Sequence, residues 1–115
     1  MYTTSLIAQQ KLNTLKELLE LQIKFATSLP HGAEAALRFW TTVNKTVANL
    51  VSHVDIERFV GLSNALTSMG IPRRKADIYS KLALNALVGV QVTQKPVDIL
   101  VLEEMLSELC AQLIS

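Results

Sequence analysis

Between Leu6 and Leu29 the chain carries apolar residues at helical spacing over an arc too wide for one packing face. At about 100° per residue, Ala8, Leu12, Leu15, Leu19, Ile23 and Ala26 fall on one stripe, and Ile7, Leu18, Leu21, Phe25 and Leu29 on a second beside it. Together they cover roughly half the circumference, against the roughly 100° usual for a helix on a globular surface. A helix this apolar needs two neighbours. The first stripe is expected to meet the rest of the chain. The second, with Leu18, Leu21 and Phe25 at its centre, is expected to meet another protein or a second copy.

A polar strip of Gln9, Asn13, Lys16, Glu17, Glu20 and Lys24 marks the solvent side of this helix, which should run from about Thr4 to Ser28. Leu29-Pro30-His31-Gly32 ends it, because proline disfavours the helical conformation in the residue before it. A second helix is expected from Ala33 to about Val54, with Ala36, Trp40, Val43, Val47, Leu50, Val51 and Val54 as a core stripe. Arg38 lies away from that stripe. Asp55 suits the N-cap of a short third helix, Ile56 to Met69, and Gly70 suits the left-handed residue that ends it.

Pro72 then fits the first turn of a fourth helix, whose expected line is Ile78, Leu82, Asn85 or Ala86, and Gly89. Leu82 to Val90 is apolar at every position but Asn85 and Gly89, so this stretch should be buried on most sides, or paired. Gln91 to Lys95 reads as a connector, with Val90 to Thr93 briefly extended. Pro96 opens a last helix ending near Ile114, with Ile99, Leu102, Met105, Leu106, Leu109 and Leu113 on its core face. Ile99-Leu100-Val101-Leu102 surrounds one turn with apolar groups, which again exceeds what a monomer needs. Leu100 therefore joins Leu18, Leu21 and Phe25 as a candidate partner-binding residue.

These segments predict an all-α fold, a compact bundle of about five helices in a single domain over residues 1–115. At 115 residues the chain is long enough to bury a core without metals or disulfides. Aromatic residues are only 5% of it, so the core must be built from aliphatic side chains. With 11 basic and 10 acidic residues, no overall field draws the chain to nucleic acid or an anionic membrane. The N-terminus has no basic stretch followed by an apolar run, and no segment approaches the roughly 18 apolar residues of a spanning helix. A cytoplasmic protein with one unpaired cysteine, Cys110, is the expectation.

Chemistry-bearing residues are sparse. His31 and His53 have no ligand-type companions at metal-site spacing, and a zinc site needs about four ligands. Cys110 flanks a core stripe, where cysteine acts as a small hydrophobe; if exposed, it could form a disulfide across a dimer. No glycine-rich phosphate loop occurs, and Glu103 and Glu104 point about 100° apart on their helix. No cofactor or metal and no catalysis are expected. Arg73-Arg74-Lys75 is the one basic cluster, and its place after a glycine-containing turn resembles a helix-turn-helix reader that could contact nucleic acid. The helix beyond it turns apolar within two turns, leaving little polar face for a groove.

Ala8-Gln9-Gln10-Lys11-Leu12-Asn13-Thr14-Leu15, Gly32-Ala33-Glu34, Asp55 with Arg58-Phe59-Val60, and Lys75-Ala76-Asp77-Ile78-Tyr79 resemble landmarks of phasins. The resemblance spans roughly Ala8 to Ala83 and implies a helical, often oligomeric protein that coats polyhydroxyalkanoate granules. The chain departs from phasins in lacking an alanine-rich or lysine-rich tail and in its more apolar second half. The leading expectation is a non-enzymatic regulator or adaptor that masks an apolar surface of a partner protein, as an anti-activator or chaperone does, and forms a homodimer. A DNA-binding regulator and a phasin-like granule protein are the alternatives.

Overall fold

The computed structural model describes residues 2–114, which form five helices and no strand among them. Met1 and Ser115, the ends of the expected domain, lie outside the described residues. In chain order the helices are α1 (Tyr2–Thr27), α2 (His31–Trp40), α3 (Lys45–Ser68), α4 (Arg73–Thr93) and α5 (Ile99–Ile114). The all-α bundle expected from periodicity is the observed fold. None of the described helices is long and apolar enough to cross a membrane.

The helix count agrees with the expectation, but two boundaries move. The expected second helix breaks at Thr41–Asn44, and its second half fuses with the third into one long α3. Local hydroxyls cause the break. Thr41 Oγ1 donates to the Arg38 carbonyl at 2.6 Å and Thr42 Oγ1 to the Phe39 carbonyl at 2.8 Å, competing with the next helical turn. Asn44, extended at φ −136° and ψ 112°, then caps α3 by accepting from the Val47 amide at 3.1 Å. Asp55 is therefore no cap; it lies mid-helix. Gly70, at φ +94°, does follow the end of α3 in the left-handed region, and Pro72 stands just outside α4.

The expected extended stretch Val90–Thr93 is helical. α4 runs through it, and Gln91 is wholly buried. Pro96 does not open α5, which starts after Asp98; the Asp98 carboxylate accepts from the Val101 amide at 3.2 Å. The Lys95–Pro96 peptide between α4 and α5 is cis.

α4 is the axis of the bundle, packed against α2, α3 and α5, while α1 packs on α5. Its buried face is Ala76, Tyr79, Ser80, Ala83, Leu87, Val90 and Gln91, of which Ala76, Ser80 and Ala83 are small and let neighbouring helices approach. The line expected to face inward, Ile78 and Leu82, instead faces out at 52% and 48% exposure. Leu66, Leu102 and Leu106 fill the centre with no exposed surface. Leu15, Leu19 and Ala26 of α1 join this core, with Leu18 and Ile23 packed at its edge, so the first stripe of α1 lies where expected from Leu15 to Ala26, while Ala8 is exposed.

The molecule is elongated. Its radius of gyration is 16.1 Å, against about 13 Å for a compact domain of this length. Its accessible surface is 7664 Å², against about 6,200 Å² for a compact monomer of this size. The excess is about 1,400 Å² by that scaling.

Candidate functional site

α2 packs inside out. Only one of its residues, His31, is buried, while Phe39 and Trp40 near its C-terminus stand in solvent at 67% and 56% exposure. Val43, just beyond, is 79% exposed. Trp40 was expected at the centre of a core stripe and Arg38 in solvent; the structure reverses both, because charged side chains hold this helix down.

The contact is a polar hub between three helices. Arg38 of α2 donates two parallel hydrogen bonds to Asp55 of α3, at 2.9 and 2.8 Å, and Arg58 of α3 donates two to Glu34 of α2, at 2.9 and 2.8 Å. Glu34 pairing with the later Arg58, and Arg38 with the earlier Asp55, is the order that antiparallel helices give. Forked, charge-assisted pairs of this kind are both strong and geometrically demanding. Gln91 of α4 closes the hub. Its Oε1 accepts from Arg38 Nε at 2.9 Å, and its amide nitrogen donates to Glu34 at 3.0 Å and meets His31 Nδ1 at 3.1 Å.

This environment sets the charge states. The Arg58 hydrogen bonds hold the Glu34 carboxyl below its usual range, against an opposing effect of burial and with further help from Gln91. The same pairing holds the Arg58 guanidinium more firmly protonated than usual. Sequence reading missed all of these residues as a group. The available signal was the complementary spacing of Glu34 with Arg38 and of Asp55 with Arg58, which pairs crosswise only if the chain turns back between them.

Of the partner-binding candidates, Leu21 and Phe25 stand on the outer side of α1 at 64% and 61% exposure, and Leu100 on α5 at 71%. Leu18 is half-buried against the core and is not part of that outer face. Phe25 borders a cavity of about 440 Å³ between α1, α3 and α4, whose lining also includes the buried Ser80. Leu100 borders a different, open groove between α4 and α5, beside Leu82, Met105 and the acidic Glu103, Glu104 and Glu108. The four candidates thus divide between separate surfaces.

The basic cluster is only partly available. Arg73 reaches back to α3, donating to Ser63 Oγ and Asn64 Oδ1 at 3.0 Å each, with Asp77 at 3.9 Å. Ser63, buried, donates in turn to Asp77. Arg74 and Lys75 remain exposed.

The chain matches no known protein family, no curated protein and no solved structure. The likeness to phasins is therefore carried by the quoted residues alone. Cys110 is buried, and Tyr79 explains its state: the phenol donates its one proton to Gln22 Oε1 at 2.9 Å, which leaves an oxygen lone pair for the thiol, also at 2.9 Å. Burial pushes the thiol upward, and burial likewise raises the phenol. A protonated, enclosed thiol is neither a nucleophile nor a site for a disulfide between molecules. His53 is exposed and lies 3.0 Å from Glu57 one turn on. Among the described residues, no three metal-ligating side chains gather.

Proposed function

We propose that this chain is a non-enzymatic regulatory or adaptor protein of the cytoplasm, which binds and masks an apolar surface of a partner protein and self-associates as a homodimer when that partner is absent. The observation that carries this reading is the surplus accessible surface, about 1,400 Å² beyond a compact monomer, with Leu21, Phe25, Phe39, Trp40 and Leu100 standing in it. A specific interface takes about 800 Å² from each partner, so the surplus is enough for one. The placement of Leu21 and Phe25 supports α1 as the contact, read as helix anchors one turn apart.

Mass measurement by light scattering on the purified chain tests the homodimer, and Leu21→Glu and Phe25→Glu test the surface. The wild type is expected at twice the monomer mass. Both variants are expected as monomers with unchanged helical circular dichroism. A wild type that stays monomeric at high concentration removes the homodimer; one that dimerises equally well with either glutamate moves the interface off α1.

A further inference from the structure

Between α4 and α5 lies an open groove of about 1,170 Å³. Tyr79 near the start of α4 meets Cys110 near the end of α5 at 2.9 Å, so the two helices that wall it run antiparallel. Its apolar lining is Leu82 of α4 with Leu100, Met105 and Leu109 of α5, and Leu82, Leu100 and Met105 are exposed there. From Leu100 to Leu109 the lining runs for about 14 Å at 1.5 Å per residue, the reach of helix anchors at i, i+3 or i+4, and i+7. A trough between two helices lying side by side is also the shape into which the side-chain ridge of a third helix packs.

Charge selects the occupant. Glu103, Glu104 and Glu108 line the groove, and no basic side chain among the described residues does; α5 itself contains none. On α2, α3 and α4 the carboxylates Glu34, Asp55, Glu57 and Asp77 each lie against a basic side chain. The three glutamates of α5 have no such partner among the described residues. Glu104 and Glu108 stand one turn apart, a spacing at which like charges weaken a helix, so cations brought to this rim relieve a repulsion as well as gain an attraction. We propose that the groove is the docking site for a basic amphipathic helix of a partner protein, with its apolar anchors seated on Leu82, Leu100 and Met105 and its Lys or Arg side chains paired with Glu103, Glu104 and Glu108. The site lies on α4 and α5, apart from the α1 surface invoked for association, and does not rest on that reading.

The probe is a fluorescein-labelled synthetic peptide about four helical turns long, with leucines at i, i+3, i+4 and i+7 and lysines flanking them. Two comparison peptides carry glutamate in place of lysine, or the same composition with the leucine stripe broken. Anisotropy on titration with the full-length protein is expected to show saturable binding of the first peptide, with a gain of peptide helicity, and binding about tenfold weaker or less for the other two. Exchanging Glu104 and Glu108 together for lysine, or Leu100→Asp alone, is expected to weaken the basic peptide by about tenfold and to leave the helical signal of the protein unchanged. Glu17→Gln with Glu20→Gln, on the exposed side of α1, is expected to leave binding as it is, and so is Leu21→Glu. Equal affinity for the basic and acidic peptides, an unaffected Leu100→Asp, or an equal loss from the α1 glutamates each overturns the proposal. A wild-type dimer that the paired lysine exchange takes apart, with no capture of the peptide, assigns the groove to a second copy of the chain and overturns it as well.

Discussion

Gln91 lies between Arg38 and Glu34, accepting from the first at 2.9 Å and donating to the second at 3.0 Å, although it is 53 residues from Arg38 in sequence. One neutral amide thereby ties two oppositely charged pairs into a single hub and anchors α2 to α4. Gln91→Leu, close in volume but without polar atoms, leaves Arg38 Nε and His31 Nδ1 unmatched and takes one contact from Glu34. A loss of about 3 kcal/mol in unfolding free energy is expected, because the unmatched groups stay buried. Urea denaturation measures it, and a change below about 0.5 kcal/mol, the range of ordinary surface substitutions, would mean that the amide is not integral to the hub.

The depressed Glu34 carboxyl makes part of the stability depend on pH. The folded-state value lies below the ordinary 4.5, so the unfolded chain takes up the proton first as pH falls. The contribution is complete above about pH 4.5 and is lost as pH drops through the folded-state value. Glu34→Gln lacks this linkage. Wild type is therefore expected to exceed the variant in stability at pH 7 and to lose that advantage progressively below about pH 4.5, as thermal melts across pH 3–7 would record; a constant difference over that range would contradict the assignment.

Cys110 should resist thiol reagents in the folded state. Its sulfur is enclosed, protonated and engaged by Tyr79. Labelling with a disulfide reagent at neutral pH is expected to proceed only at the rate at which the chain opens, and to become immediate in denaturant. Tyr79→Phe removes the phenol oxygen and should speed the reaction in the folded protein, provided that the helical signal is retained.

Core and surface leucines should separate cleanly. Leu66 is fully buried between α3 and its neighbours, and Leu66→Ala is expected to cost about 2–5 kcal/mol. Leu21→Ala, at an exposed position of α1, should change monomer stability by less than about 0.5 kcal/mol. Comparable losses for the two, measured on dilute protein, would place Leu21 in the core.

The fold class was legible because α1, α4 and α5 carry long apolar periods with clear stops at Pro30, Gly70 and the Lys95–Pro96 turn. What the sequence concealed is concentrated around α2. The β-branched run Thr41-Thr42-Val43 continues the helical pattern of apolar spacing, and only the threonine hydroxyls, bonding locally to Arg38 and Phe39, reveal the break. Trp40 read as core because hydrophobicity normally decides which face turns inward. Here Arg38 and Glu34 find carboxylate and guanidinium partners on α3, so the charged face is satisfied inside and the aromatic face is left out. Gln91 was assigned to a connector because its partners lie at distances in sequence that local patterns cannot reach. The outward positions of Leu21, Phe25 and Leu100 followed from the surplus of apolar residues; that Leu18 packs inward instead depends on how α1 is rotated against α5, which no local pattern specifies.

Apolar packing lets a helix roll or slide by a fraction of a turn with little penalty, whereas forked pairs do not. With Glu34 and Arg38 both clamped, α2 has its rotation and its axial position set at two points. Phe39 and Trp40 are consequently displayed at a fixed azimuth before anything meets them. An aromatic pair held that way has little orientational freedom left to surrender on recognition, so more of its contact energy is available as affinity.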